Sequence, residues 1–109
     1  MILGVSGPYS AATEEQREEN LARLNKVAVE VLKKGHVPLI GVNAALPTVA
    51  FLPEDERYEA IMKISMAVMD TCDALLFVAE SPGANKERDL FLAKRLPIYH
   101  TIEEVPVGR

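Results

Sequence analysis

Residues 74–79 read Ala-Leu-Leu-Phe-Val-Ala, an unbroken apolar run. A strand that helices cover on both faces has this character, because neither of its sides meets water. The run is the clearest strand signal in the chain. It therefore predicts the central strand of a parallel sheet, with helices before and after it.

Three shorter segments also predict strands, each bounded by turn residues. Residues 2–7 read ILGVSG and stop at a proline, residues 36–41 read HVPLIG, and residues 96–100 read LPIYH. Pro38 cannot donate to a strand ladder, so its strand should lie at a sheet edge or pair weakly there.

Helical signals separate these strands. Thr13 and Gln16 have capping-box spacing, apolar residues then recur every three or four positions, and Gly35 ends this first helix. Further helices are predicted from Pro53 to about residue 71 and from about residue 85 to residue 94. A turn at residues 81–84 precedes the last of them.

Two segments are less regular. Residues 42–53 are apolar but aperiodic, and we expect a long loop that covers a pocket or a partner subunit. Residues 101–104, Thr-Ile-Glu-Glu, indicate a last capped turn.

Strands that alternate with helices form parallel sheets with right-handed crossovers. We therefore predict one α/β domain over residues 1–109, with three layers and a four-stranded parallel sheet in the order 2-1-3-4, flavodoxin- or Rossmann-like. Ligands of such sheets bind at the carboxyl ends of the strands, at the switch point between strands one and three. Residues 7–10 (GPYS) and 81–84 (SPGA) fall there.

Composition narrows the function classes. The net charge of −4 argues against a nucleic-acid partner, since phosphates reward clustered Lys and Arg. Cys72 is the sole cysteine, which fits a reducing compartment and a buried structural thiol. No apolar stretch is long enough for a membrane span, so we expect no membrane partner and a cytoplasmic location.

The two loops suggest a ligand site. Gly7 and Gly83 would let a ligand approach the backbone closely, next to the free N–H groups of a helix start. Neither loop is a GxGxxG or GxxxxGK[ST] sequence, which excludes a dinucleotide dehydrogenase and a P-loop NTPase. Tyr9 could stack on a base or hydrogen-bond a sugar, or be an ordinary turn residue. Ser81 could bind an anion or only cap the turn.

Glu87 should lie in the first turn of the last long helix, where the helix dipole and free N–H groups keep a carboxylate ionised. Such a carboxylate could act as a nucleophile or stabilise a cationic sugar carbon, or be an ordinary helix residue. His100 could reach the site or solvent, and His36 is predicted to be structural. The His and Cys residues are too scattered for a metal site, so no metal is expected.

Four short motifs occur in a fixed order: Gly7-Pro8-Tyr9-Ser10, Gly35-His36-x-Pro38, Cys72-Asp73-Ala74-Leu75-Leu76 and Ser81-x-Gly83-Ala84-x-x-Glu87. Together they span nearly the whole chain. In these motifs the chain resembles the nucleoside 2-deoxyribosyltransferase-like superfamily, and is most similar to its small phage and bacterial branch of uncharacterised proteins.

The resemblance implies roles for several residues. Glu87 matches the nucleophile that attacks the anomeric carbon of a (deoxy)ribose and expels the base, and Tyr9 lies in the loop that helps to hold the sugar or base. Ser81 replaces an aspartate of the deoxyribosyltransferases and is similar to the serine with which 5′-monophosphate hydrolases help to grip the phosphate. The expected substrate-binding residues are Gly7, Tyr9, Ser10, Ser81 and Gly83.

One position departs from the superfamily. Its active enzymes have a second aspartate where this chain has Ser65, and Asp70 lies about 140° around the helix from that face. The general-acid role is therefore vacant. The superfamily also completes its sites with residues of a neighbouring subunit, so a homo-oligomer is expected, with residues 42–53 as an interface.

The leading hypothesis is therefore a cofactor-independent enzyme that cleaves or transfers the N-glycosidic bond of a nucleoside or nucleoside 5′-monophosphate through Glu87. A catalytically inactive nucleotide-binding or sensing module is the main alternative, which Ser65 favours. Cleavage of a larger glycosidic cofactor such as NAD, and an interaction protein without a ligand, also stay open.

Overall fold

The computed structural model of the chain describes residues 1–108 and has a parallel sheet at its centre. The strands are β1 (Ile2–Ser6), β2 (Val37–Leu39), β3 (Ala74–Phe77) and β4 (Ile98–Tyr99). The helices are α1 (Glu14–Lys33), α2 (Gly41–Val49), α3 (Glu54–Met69) and α4 (Pro82–Lys94), followed by a short 3₁₀ turn at Ile102–Glu104.

The predicted topology is confirmed. All neighbouring strands pair in parallel, and the order is β2-β1-β3-β4. Strand β2 thus lies on one side of β1, whereas β3 and β4 lie on the other side, which makes the position between β1 and β3 the switch point. Val5 pairs with Leu76, and Ser6 with Phe77, at the carboxyl ends of these two strands. Pro38 lies in the edge strand β2, where its missing N–H is least costly.

A separate apolar core fills each face of the sheet. On one face Leu3, Val5 and Leu76 pack with Leu24 and Val31 of α1. On the other face Leu75 and Phe77 pack with Met69 of α3 and Phe91 of α4. Alternate residues of β3 thus point into different cores, which explains why the whole strand had to be apolar.

The prediction of a loop over residues 42–53 was wrong, because Gly41–Val49 forms helix α2. The buried residues Gly41, Ala45 and Val49 recur every four positions and pack this helix against α3. Pro47 costs the helix one backbone hydrogen bond, which the packed face offsets. Ala45 and Val49 therefore serve the chain's own core, whereas Phe51 is 91% exposed. A homo-oligomer interface over residues 42–53 stays a prediction.

Two other elements also differ from the prediction, one in where it begins and the other in how it is capped. Helix α4 begins at Pro82 rather than near residue 85, because Ser81 caps it and proline suits the first helical position. The turn after β4 has no side-chain cap from Thr101. Instead, the Glu104 carboxylate accepts a hydrogen bond from the backbone N–H of His100, at 2.9 Å.

The remaining sequence expectations concern single side chains and membrane spans. His36 is buried, and its Nε2 donates to the Pro106 carbonyl oxygen at 2.6 Å. Cys72 is buried as well, and burial raises the pKa of its thiol. Within residues 1–108, no helix has the length and apolar character that crossing a bilayer would require.

Candidate functional site

A cleft with a cavity volume of about 120 Å³ opens at the carboxyl ends of β1 and β3. Its walls are the loop after β1, the start of α2, one side of α3 and the first turns of α4. All the residues that the sequence nominated as catalytic or substrate-binding line this one cleft: Gly7, Tyr9, Ser10, Ser81, Gly83 and Glu87. Their contact with a substrate stays a prediction.

Glu87 is the charged residue at the base of the cleft, and only 7% of it is exposed. Its Oε1 accepts a hydrogen bond from Oγ of Ser6, the last residue of β1, at 3.2 Å. This carboxylate is thus fixed against the sheet at the switch point, where open α/β sheets bind ligands.

The prediction that Glu87 lies in the first helical turn was wrong, since α4 begins at Pro82 and places Glu87 in the second turn. The dipole effect fades over that distance. Burial instead raises the pKa of Glu87 to about 7, although the Ser6 hydrogen bond opposes the shift. The expectation of a firmly ionised carboxylate is corrected accordingly.

Ser81 has the capping role. Its Oγ accepts a hydrogen bond from the Ala84 N–H at 3.0 Å, and its carbonyl oxygen accepts one from the Asn85 N–H at 2.8 Å. A hydroxyl that accepts can still donate, so the Ser81 proton stays free for an anion or a sugar oxygen. Gly83 is the second residue of α4, and its N–H has no acceptor inside the helix.

The loop after β1 is held by a residue that sequence reasoning missed. The Tyr9 carbonyl oxygen accepts a hydrogen bond from Nδ2 of Asn20 at 3.0 Å, and Oδ1 of Asn20 in turn accepts from Gln16 at 3.0 Å. Asn20 is buried on the same face of α1 as Leu24. An asparagine on the apolar face of a helix was the available signal.

Gly7 has a packing role besides lining the cleft. A β-carbon there would lie 2.8 Å from Cδ2 of Leu24 on α1 and 3.3 Å from Cβ of Val78, so a side chain would force either the buried Leu24 or the loop to shift. At Gly83 a β-carbon would lie 3.2 Å from Sδ of Met62, at the end of a flexible side chain.

The far wall of the cleft is apolar, and the sequence analysis nominated none of its members: Val42, Tyr58, Ile61 and Met62. Ser65 lies beneath them, only 1% exposed, and its Oγ has no hydrogen-bond partner within residues 1–108. Gly41 packs directly on this serine, because a β-carbon there would come within 2.6 Å of the Ser65 Cβ. Ser65, where the resemblance led us to expect a second acid, thus lines this cleft.

Other candidates lie elsewhere. Asp70 is exposed and pairs with Lys94 at 2.9 Å, away from the cleft. His100 is exposed and meets the edge of Phe77, with ring centroids 6.1 Å apart. Across residues 1–108, no three His, Cys, Asp or Glu side chains converge as metal ligands.

Comparison with known proteins gives a family but no activity. A search of curated proteins found no match. The sequence model of one family, described as a domain of unknown function (DUF4406), matches residues 1–100. Because this match takes in both strands and all the helices that form the cleft, the chain belongs to the DUF4406 family.

Proposed function

We propose that the chain binds a nucleotide or nucleoside with one of its rings in this cleft and cleaves or transfers its N-glycosidic bond, with Glu87 as the nucleophile. The observation that carries the proposal is the buried Glu87 carboxylate, held by Ser6 at the floor of a cleft at the switch point. The resemblance to the nucleoside 2-deoxyribosyltransferase-like superfamily supports the same assignment.

The reaction needs one nucleophilic carboxylate. An oxygen of ionised Glu87 attacks the anomeric carbon, a C–O ester bond forms, and the C–N bond to the base breaks. The base leaves with the electron pair of that bond and takes up a proton. Water, or a second base, then attacks the same carbon and releases Glu87.

Burial of Glu87 suits this role. A carboxylate that few water molecules solvate is less stabilised in the free protein than in a transition state where positive charge develops on the sugar ring. With a pKa of about 7, the carboxyl is ionised in about half of the molecules near neutral pH. The charge of the transition state then favours the ionised form.

Few groups in the cleft could donate a proton to the leaving base. Glu87 is the only carboxylate among the described residues that line the cleft, and Ser65 stands where a second acid would be needed. Water or a hydroxyl group such as that of Tyr9 is therefore the proton source in this proposal. A base that leaves easily, or leaves already protonated, would be the preferred substrate.

The second candidate function is a nucleotide-binding module without turnover, and Ser65 favours it. Its hydroxyl can hold a ligand atom but cannot protonate a leaving base as a carboxylic acid does. Titration calorimetry with the same ligands separates the two candidates, since saturable binding without product identifies a module.

Base release from a panel of nucleosides, their 5′-monophosphates and NAD, followed by chromatography, tests the enzyme. We expect release from a nucleoside or its monophosphate, its abolition in Glu87→Gln, and no effect of Glu59→Gln, an exposed glutamate of α3 outside the cleft. Release of nicotinamide alone would favour the NAD alternative. Absence of any released base would refute the enzymatic proposal.

A further inference from the structure

The cleft around Glu87 is too small for a whole nucleotide. An engineered apolar cavity of about 150 Å³ takes up a benzene ring, and this cleft measures about 120 Å³. It therefore accommodates roughly one ring of a ligand. The rest of the ligand must lie outside it, on a surface that adjoins the cleft.

Such a surface exists. A larger groove of about 460 Å³ lies between the start of α1, the end of α2 and the start of α3. Tyr9, Ser10, Tyr58 and Ile61 line both this groove and the cleft, so the two spaces adjoin along a shared wall.

The groove has two arginines on its walls, which we call the arginine pair: Arg17 of α1 and Arg57 of α3. Backbone carbonyls orient both guanidinium groups. Arg17 donates to the Ala11 oxygen at 2.8 Å, and Arg57 donates from Nε to the Leu52 oxygen at 3.0 Å. A guanidinium has five N–H donors, so each arginine keeps several for a ligand.

The arginine pair has no carboxylate partner within residues 1–108, although the ion pairs there include Arg88 with Glu80 and Lys94 with Asp70. Guanidinium groups that backbone carbonyls orient, and that form no ion pair, can match the planar, bidentate geometry of phosphate and carboxylate oxygens. We propose that the arginine pair binds an anionic group, a phosphate, on the part of the ligand that extends out of the cleft.

The surrounding charge sets the size of that group. Glu14, Glu18 and Glu54 also line the groove, and all three are exposed. They repel an extended polyanion, which fits the net charge of −4. A compact phosphate needs direct contact only with the guanidinium groups, whose charge-assisted hydrogen bonds offset the repulsion by these carboxylates.

This inference deepens the proposed function by selecting phosphorylated nucleosides over free ones, and it rests on that function only for the identity of the ring in the cleft. It places the phosphate on α1 and α3 rather than at Ser81 and the start of α4. The two placements predict different effects of mutation.

NMR of the arginine Nε–Hε groups tests the anion site without any nucleoside. On adding inorganic phosphate or pyrophosphate at constant ionic strength, we expect saturable shifts of Arg17 and Arg57. Arg23, an exposed arginine of α1 outside the groove, should not move. Shifts of the arginine pair no larger than those of Arg23 would overturn the proposal.

Calorimetry in the Glu87→Gln background then tests the link to the cleft, using adenosine, guanosine, cytidine and uridine with their 5′-monophosphates. We expect monophosphates to bind about tenfold or more tightly than nucleosides, and Arg17→Gln/Arg57→Gln to remove that preference while Arg23→Gln keeps it. Loss of the preference in Ser81→Ala but not in the double variant would overturn the proposal. If no nucleoside or nucleotide binds, the proposed function fails, and the NMR titration still decides the anion site.

Discussion

Ser6 donates a hydrogen bond to Glu87 across 3.2 Å, from the last residue of β1 to the second turn of α4. Both side chains are buried, and the bond joins the central sheet to the helix of the candidate nucleophile. Within residues 1–108, it is the interaction that favours the ionised form of this carboxyl against the effect of burial. The balance between this hydrogen bond and burial sets the pKa of Glu87, and hence the pH above which its carboxylate is ionised.

Removal of the serine hydroxyl should therefore raise the pKa of Glu87. A hydrogen bond of ordinary strength corresponds to a shift of about one pKa unit. The pKa of Glu87 should therefore lie well above 7 in Ser6→Ala. Carbon-detected NMR of the Glu87 carboxyl gives both pKa values. An unchanged or lowered value in Ser6→Ala would show that the hydrogen bond does not stabilise the carboxylate.

The pH profile of base release identifies the catalytic role of Glu87. A nucleophile must be ionised, so kcat/KM should rise with pH and level off above the pKa of about 7. A general acid must be protonated, and the same titration would then make kcat/KM fall above that pH. A falling limb that moves to higher pH in Ser6→Ala would contradict the nucleophile assignment.

The free energy of unfolding should depend on pH through the raised pKa of Glu87, and this dependence can be measured without any substrate. Since the pKa of Glu87 is raised from 4.5 to about 7, the folded chain binds the extra proton more tightly than the unfolded chain. The stabilisation of the folded chain by this proton is fully present below pH 4.5 and is lost as the pH rises through 7. It amounts to about 3 kcal/mol at most.

Glu87→Gln cannot lose a proton, so it should be more stable than the natural chain at pH 8 and nearly equal to it at pH 4. Urea unfolding of both proteins at the two pH values measures the difference. Glu59→Gln, which changes an exposed glutamate, should show no such dependence on pH. Equal stability of the natural chain and Glu87→Gln at pH 8 would indicate that Glu87 is not a destabilised buried carboxylate.

The fold could be predicted to the extent that local patterns determine it. An apolar run identified β3, and a capping box with regular apolar spacing identified α1. Helix α2 was missed because its packed face consists of small residues, and Pro47 disguised its period. The start of α4 was missed although Ser81 and Pro82 form an N-terminal cap signal, which is also the composition of a turn.

The candidate site was predictable in its location and less so in its electrostatics. Parallel topology places the ends of β1 and β3 together, which brings Tyr9, Ser81 and Glu87 to one cleft. The raised pKa of Glu87 depends on burial by residues distant in sequence. No local pattern encodes that burial. The resemblance had already pointed to Ser65, whereas Asn20 was missed although an asparagine on the apolar face of α1 was an available signal.

Gly41, which packs on Ser65, and Gly83, which lines the cleft, should respond differently to alanine. In Gly41→Ala the new methyl group would come within 2.6 Å of Cβ and 2.7 Å of Cα of Ser65, and neither atom can move without shifting α3. In Gly83→Ala the nearest atom is Sδ of Met62 at 3.2 Å, which a rotamer change can displace. We expect Gly41→Ala to lower the free energy of unfolding by about 1 to 3 kcal/mol, and Gly83→Ala to leave it nearly unchanged. Thermal or urea unfolding of both variants measures this, and equal losses would mean that α2 does not pack on Ser65 as described.

Asn20 should affect ligand binding without touching the ligand. Its Nδ2 holds the Tyr9 carbonyl at 3.0 Å, so Asn20→Ala frees the loop that forms one wall of both the cleft and the groove. An unpartnered carbonyl and a missing buried side chain together should cost about 1 to 3 kcal/mol of stability.

The freed loop must be ordered again when a ligand binds, so KM should rise more than kcat falls. Asn25→Ala is the matched control, because this exposed asparagine of the same helix bonds to Asn43 and not to the loop after β1. Steady-state kinetics, or calorimetry if no turnover occurs, measures the effect, and an affinity in Asn20→Ala equal to that of Asn25→Ala would show that the loop needs no anchor on α1.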